Sequence, residues 1–149
     1  MKFNYIFVSI ALIILSLSQI AAQEDIVNWS FEIENINDKK ILKATANIKN
    51  GWFIYSQHIE DGPIPTSFKL KQASGDASTA VTLNEETTPI KIYSELFEAE
   101  VLKFKDEAIF TISVDDYKSG DIITGSVMYM SCDKSKCLPP RSVDFEVKI

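Results

Sequence analysis

The two cysteines of the chain, Cys132 and Cys137, are the residues whose type and spacing could do chemistry. They lie five positions apart, separated by the polar residues 133–136 and flanked by apolar strand-like runs. This pattern predicts a β-hairpin with its turn at residues 133–136. Opposed residues of such a hairpin have Cα atoms about 4.5–5.5 Å apart, and a disulfide tolerates roughly 4.4–6.8 Å. A disulfide between the two cysteines is therefore sterically easy.

The cysteine pair could be a structural staple or a working redox site. Thiol–disulfide exchange needs an accessible sulfur, a thiolate and a second cysteine that resolves the mixed disulfide. Lys134 and Lys136 would favour a thiolate, whereas Asp133 opposes it. A staple closing a loop of about six residues would stabilise the fold by only about 2 kcal/mol. From the residues alone, both interpretations stay open.

The first 22 residues have the pattern of a secretory signal peptide. Lys2 precedes an apolar run at residues 6–17, and small residues follow up to Ala22. The alternative is an uncleaved N-terminal anchor. Cleavage after Ala22 would leave one domain at residues 23–149 with no membrane span. Export to an oxidising compartment would allow a cysteine pair to persist as a disulfide.

Composition excludes several classes of function. The chain has 21 acidic and 15 basic residues, a net charge of −6 that argues against nucleic-acid binding. Two cysteines are too few for a disulfide-rich scaffold or a four-cysteine zinc site. The single histidine, His58, argues against a histidine-rich metal site and a histidine-based triad. We therefore predict no metal and no cofactor.

One metal-binding alternative is a copper site. Met128, Met130 and the cysteine sulfurs could supply soft ligands for Cu(I). The competing interpretation is that the methionines fill the core, which is their commoner role.

The chain from residue 23 onward reads as eight or nine short strands separated by turn residues, without a helical period. Residues 27–33 and 143–149 alternate between apolar and polar side chains, whereas residues 93–99 are predicted to form a loop with exposed aromatics. This pattern favours an all-β fold of the immunoglobulin-like β-sandwich type, with a closed barrel as the main alternative.

The strand that leads into Cys132 is apolar on both faces. Met128 and Met130 lie on one face, and Val127 and Tyr129 lie on the other. One face can pack in the core, so the other needs a cover, which a loop could provide.

Three segments carry a family resemblance. They are residues 50–57 (Asn-Gly-Trp-Phe-Ile-Tyr-Ser-Gln), residues 62–66 (Gly-Pro-Ile-Pro-Thr), and the cysteine hairpin with Leu138, Pro139 and Pro140 behind it. Together they resemble the N-terminal domain family of the thiol:disulfide interchange protein DsbD. The likeness spans nearly all of the chain after the signal peptide.

The resemblance implies an immunoglobulin-like sandwich in the periplasm, with Cys132 and Cys137 as its redox pair. Phe97 falls where the family has a cap-loop phenylalanine that shields the disulfide, with Glu95 in the same loop. Tyr55 and Tyr129 would lie near the pair.

The resemblance also implies partners. Domains of this family take reducing equivalents from a thioredoxin-like domain and pass them to periplasmic oxidoreductases. For this chain we expect a thioredoxin-like donor on a separate chain and oxidoreductase clients, and the analogy favours Cys137 as the sulfur that bonds to the client. Whether the chain is an enzyme, a protein-disulfide reductase, is left open. The rival hypothesis is a non-catalytic binding module with a structural disulfide.

Overall fold

The computed structural model describes residues 25–71 and 78–149, so the predicted signal peptide at residues 1–22 lies outside the described part. Within these ranges every regular element is a β-strand, which confirms the predicted all-β fold. In chain order the strands are β1 (Val27–Ile36), β2 (Lys39–Ile48), β3 (Ile54–Tyr55), β4 (Ser67–Lys71), β5 (Ser78–Val81), β6 (Asn84–Glu85), β7 (Ile90–Ser94), β8 (Ala99–Phe104), β9 (Glu107–Ser113), β10 (Ile122–Tyr129) and β11 (Arg141–Lys148). No helix in the described ranges is long and apolar enough to span a membrane.

Two antiparallel sheets of four strands form the sandwich. Their spatial orders are β1-β2-β9-β6 and β11-β10-β4-β5. Phe31 of β1 stacks on Phe145 of β11 with ring centroids 4.1 Å apart, so the two sheets meet face to face. The described residues therefore form the predicted immunoglobulin-like sandwich, with open sheet edges, rather than a closed barrel.

The main core lies between these two sheets. On β2 every second side chain is buried, as the alternating pattern requires, and the inward-facing residues are Leu42, Ala44, Ala46 and Ile48. The indole of Trp29 crosses the core and lies 5.6 Å from the Phe68 ring, 5.6 Å from the Tyr129 ring and 5.9 Å from the Phe110 ring. Because these rings come from both sheets, Trp29 ties the sheets together.

Strand β10 is central in its sheet and leads directly to Cys132. It passes so close to β4 that a Cβ atom at Gly125 would lie 2.6 Å from the Lys69 carbonyl oxygen and 2.7 Å from the Phe145 ring. Only glycine allows this approach. Gly125 therefore fixes the path by which β10 reaches the cysteines.

A third, small sheet has the order β3-β8-β7 and separates the core from the cysteine hairpin. Ile54 pairs with Phe104, and both side chains are buried in the main core. Tyr55 and Val101 face the opposite side and pack with Cys132 in a second apolar cluster. The alternation of side chains along β3 and β8 thus places one face on the core and one on the disulfide.

The segment predicted as a loop at residues 93–99 differs in the structure. It contains the end of β7, a turn at residues 95–98 and the start of β8. β7 pairs only with β8 among the described strands, and its side chains at Ile90, Ile92 and Tyr93 are 42%, 42% and 59% exposed. The alternation in β7 covers only Ile90, Lys91 and Ile92, which is too short to predict a strand by itself.

Candidate functional site

The two cysteines form a disulfide at the tip of the hairpin that follows β10. Their Cα atoms are 4.0 Å apart and the residues pair as an antiparallel bridge. The Asp133 amide donates to the Lys136 carbonyl over 2.9 Å, and the Leu138 amide donates to the Ser131 carbonyl over 2.9 Å. The hairpin and its turn at residues 133–136 therefore match the sequence prediction.

The turn is held by the side chain of Asp133. Its Oδ1 accepts hydrogen bonds from the Ser135 amide at 2.7 Å, the Ser135 hydroxyl at 2.9 Å and the Lys136 amide at 2.8 Å. These bonds favour the charged carboxylate, and the backbone amide of Ser135 makes the largest contribution to lowering the pKa of Asp133. The loop between the cysteines is thus shaped by its own residues.

The two cysteines differ in their exposure to solvent. Cys132 is 0% exposed, whereas Cys137 is partly exposed. The backbone of Cys132 is also anchored, because it exchanges two hydrogen bonds with the backbone of Phe53, at 2.8 and 3.1 Å. Cys137 is therefore the more accessible residue of the pair.

An aromatic side chain from the β7–β8 turn packs against the cluster that holds the cysteines. Phe97 packs in the same apolar cluster as Cys132, Cys137 and Tyr55, and its ring meets the Tyr55 ring edge to face at 6.2 Å. On the far side, a Cβ atom at Gly62 would lie 3.4 Å from the Phe97 Cβ, so the loop around Gly62 supports the turn closely. The shielding of the disulfide by Phe97 remains a prediction.

The other residues predicted at the site are divided between the disulfide cluster, the surface and the main core. Tyr55 is buried in the disulfide cluster, and this burial raises the pKa of its hydroxyl to about 12. Glu95 is exposed and lines a cleft beside the disulfide. Tyr129 belongs to the main core and contacts Trp29, because it faces the same side of β10 as the buried Val127. Met130 packs in the disulfide cluster, whereas Met128 is 36% exposed.

Tyr55 is positioned by a network of hydrogen bonds. The sequence alone did not indicate this network. The Glu85 carboxylate accepts bonds from the hydroxyl of the buried Ser56 at 2.9 Å and from the Gln57 amide at 2.9 Å. The Gln57 side chain donates to the Leu83 carbonyl at 2.7 Å and accepts from the Leu83 amide at 3.2 Å. These bonds connect the residues that follow β3 with strand β6 and with Leu83, which precedes β6. The Tyr-Ser-Gln run was the available signal, but nothing in it pointed to residues 83 and 85.

Lys103 is a further residue that the sequence did not point to. It faces the disulfide side of β8, opposite Tyr55, with its ammonium 3.5 Å from the centre of the Phe53 ring. Burial, aided by repulsion from Lys134, lowers the pKa of Lys103. Lys136 lies farther out, 6.0 Å from the Trp52 ring centre. Lys103 and Lys134 line the same cleft, and Lys136 lies in the turn between the cysteines.

Metal ligands are not gathered in the described residues. In residues 25–71 and 78–149, no group of three or more His, Cys, Asp or Glu side chains could hold a metal ion. His58 is exposed, and only its backbone amide bonds to the Ser56 hydroxyl, at 3.1 Å.

The fold and site together define an immunoglobulin-like sandwich that carries a disulfide hairpin with Phe97 packed against its cluster. Residues 18–149 match the family model described as thiol:disulfide interchange protein DsbD, N-terminal. The chain belongs to this family. No curated protein matches it.

Two solved structures are similar to this chain. The reduced N-terminal domain of Neisseria meningitidis DsbD superposes with a TM-score of 0.56 at 15% identity, covering 80% of this chain and 84% of that one. The complex of the DsbD and PilB N-terminal domains from Neisseria meningitidis gives a TM-score of 0.52 at 15% identity. The match covers 79% of this chain and 80% of that one. At this identity the likeness supports the fold.

Proposed function

We propose that this chain is a periplasmic thiol–disulfide interchange domain that passes two electrons through the Cys132–Cys137 pair. The observation that carries the proposal is the unequal exposure of the pair beneath the Phe97 cap. A structural staple needs neither a reachable sulfur nor a cover. An exchange site needs one reachable sulfur, one protected sulfur that resolves the mixed disulfide, and a way to exclude unwanted thiols.

The proposed chemistry begins with reduction of the domain. A thiolate of the donor attacks the Cys137 sulfur, the Cys132–Cys137 bond breaks, and Cys132 leaves as a thiolate that takes up a proton. The second thiolate of the donor then attacks the donor sulfur that is bonded to Cys137. This step releases Cys137 as a thiolate and leaves the donor with a disulfide. Two electrons and one proton have entered the domain, and the Cys137 sulfur remains a thiolate until it reacts with a client.

The second half transfers these electrons to a client. The Cys137 thiolate attacks the client disulfide and one client sulfur leaves as a thiolate. Cys132, held next to Cys137 by the hairpin, then attacks the Cys137 sulfur and releases the second client thiolate. The domain returns to its disulfide form, and the client gains two thiols.

The partners follow from this chemistry. We propose a thioredoxin-like donor on a separate chain and periplasmic oxidoreductases as clients. The Neisseria meningitidis domain that forms a complex with a PilB N-terminal domain offers a parallel for pairing with a separate protein. We further propose that residues 1–22 are a signal peptide and that residues 23–149 are the exported domain.

A direct test is electron transfer to an oxidised thioredoxin-fold protein. The reduced domain is mixed with one equivalent of that protein, quenched with acid, alkylated and weighed by mass spectrometry. We expect the domain to gain a disulfide and the partner to gain two thiols, and Cys132→Ser to trap a covalent 1:1 complex through Cys137. A partner that stays fully oxidised beside a folded, reduced domain would contradict the proposal.

A further inference from the structure

A cleft of about 330 Å³ lies beside the disulfide, between the β7–β8 hairpin and the cysteine turn. The residues that matter for its chemistry are Tyr55, Ile92, Leu96, Lys103 and Lys134. One wall is apolar and comes from β7 and its turn, and the other carries the lysines. Because Tyr55 belongs to both the cleft and the disulfide cluster, a group bound in this cleft would lie next to the redox pair.

Among the described residues, no carboxylate lies within ion-pair distance of Lys103 or Lys134. Two carboxylates do line the cleft, but Asp133 is engaged by its three hydrogen bonds in the turn and Glu95 is exposed to water. Burial and, to a smaller extent, repulsion from Lys134 lower the pKa of Lys103. An incoming anion would relieve this repulsion.

The opposite wall is an exposed apolar surface. Ile92 pairs with Val101, which faces the disulfide, so Ile92 faces the same side and is 42% exposed. Leu96, in the turn that carries Phe97, is 50% exposed. Exposed apolar side chains gathered at one place are typical of surfaces that bind another protein. The cleft therefore offers an apolar contact and a cation within a short distance of the sulfurs.

We propose that this cleft selects the protein that exchanges with the disulfide, by binding a carboxylate and an apolar side chain that lie next to the partner's reacting cysteine. Lys103 and Lys134 would hold the carboxylate, and Ile92 and Leu96 would contact the apolar side chain. The inference rests on the proposed exchange function. It adds a preference for acidic partner segments, although the chain as a whole has a net charge of −6.

The test uses three blocked peptide thiols, acetyl-Leu-Glu-Cys-amide and its counterparts with Gln or Lys in place of Glu. Each peptide reduces the disulfide of the oxidised domain, and the rate is divided by the thiolate fraction of that peptide so that differences in thiol pKa do not contribute. We compare the wild type with Lys103→Met and Lys134→Gln. Lys118→Met is the control, because Lys118 is exposed beyond the end of β10 that lies farthest from the cysteines.

We expect the wild type to react about fivefold faster with the Glu peptide than with the Lys peptide at low ionic strength, the size of a partly exposed ion pair. The ratio should fall towards one in about 0.5 M salt, since salt screens the attraction. Lys103→Met should lower the ratio, Lys134→Gln in the exposed turn should do the same without affecting folding, and Lys118→Met should leave it unchanged.

Equal rates for the three peptides, or a preference that both cleft variants retain, would overturn the inference while leaving the exchange function intact. A folded domain that reacts with none of the peptides and not with dithiothreitol would overturn the exchange function, and the inference with it.

Discussion

The rings of Tyr55 and Phe97 meet edge to face, with their centroids 6.2 Å apart, in the apolar cluster that holds the disulfide. Tyr55 is nearly fully buried and is tied to β6 through its neighbours, whereas Phe97 belongs to a four-residue turn. The contact thus joins a ring from a hydrogen-bonded strand segment to a ring carried by a turn. We propose that Phe97 gates access to the disulfide by moving with its turn.

Replacing Phe97 by Ala should open this gate. The change removes the cover from the sulfurs, so we expect the oxidised domain to react with dithiothreitol about threefold faster or more, because exchange rates depend on access to sulfur. The matched control is Phe31→Ala, which truncates a partly buried ring on the far sheet and should leave the rate unchanged. A Phe97→Ala variant that reacts at the wild-type rate would show that Phe97 does not shield the disulfide.

The unequal exposure of the cysteines predicts unequal reactivity of the single thiols. In Cys132→Ser the remaining Cys137 is partly exposed, and in Cys137→Ser the remaining Cys132 is buried. We expect Cys137 to react with an aromatic disulfide reagent about tenfold faster or more than Cys132. Equal rates in the two folded variants, or a faster Cys132, would reverse the assignment of the attacked sulfur.

The side chain of Gln57 should contribute to stability. Its truncation in Gln57→Ala leaves the amide and carbonyl of the buried Leu83 without their side-chain partners. We expect the free energy of unfolding to fall by roughly 1–3 kcal/mol, the usual cost of leaving buried polar groups unpaired. Urea denaturation measures the change, and Asn28→Ala, on an exposed position of β1, should stay within about 0.5 kcal/mol of the wild type. A Gln57→Ala variant as stable as that control would show that the network is dispensable.

The lowered pKa of Asp133 predicts a pH-dependent contribution to stability. Its folded-state pKa lies below the ordinary value of 3.8, so the contribution is present above that value and is lost as the pH falls through the folded-state pKa. Asp133→Asn should therefore have a lower urea midpoint than the wild type near pH 7 and a similar midpoint near pH 2. A difference of the same size at both pH values would mean that the charge of Asp133 does not hold the turn.

The sequence predicts the strands that bury one face. β1, β2 and β11 show alternation or clear turn residues, and the cysteine hairpin follows from five-residue spacing around a polar turn. β7 escapes prediction because its alternation is too short, and β6 because it has only two residues. Their places are set by pairing with β8 and β9, which a local pattern does not encode.

The candidate site is predictable only in part, for a similar reason. The cysteine hairpin follows from the motif, and the roles of Phe97 and Tyr55, which share the apolar cluster with the cysteines, stay predictions from the resemblance. The bonds from Glu85 to Ser56 and Gln57 span 29 and 28 positions, so no local pattern indicates them. Tyr129 lies in the main core because it shares a face of β10 with Val127, which the alternation of that strand already implied.

The central claim, that the Cys132–Cys137 disulfide exchanges electrons in the folded domain, is tested most directly by its reduction potential. The purified domain is equilibrated in a series of glutathione or dithiothreitol buffers, its free thiols are trapped by alkylation, and the reduced fraction is read by mass spectrometry. We predict a potential above about −250 mV, in the range of exchangeable disulfides. A potential below about −300 mV, with thiols that form only when the domain unfolds, would identify a structural staple and contradict the account.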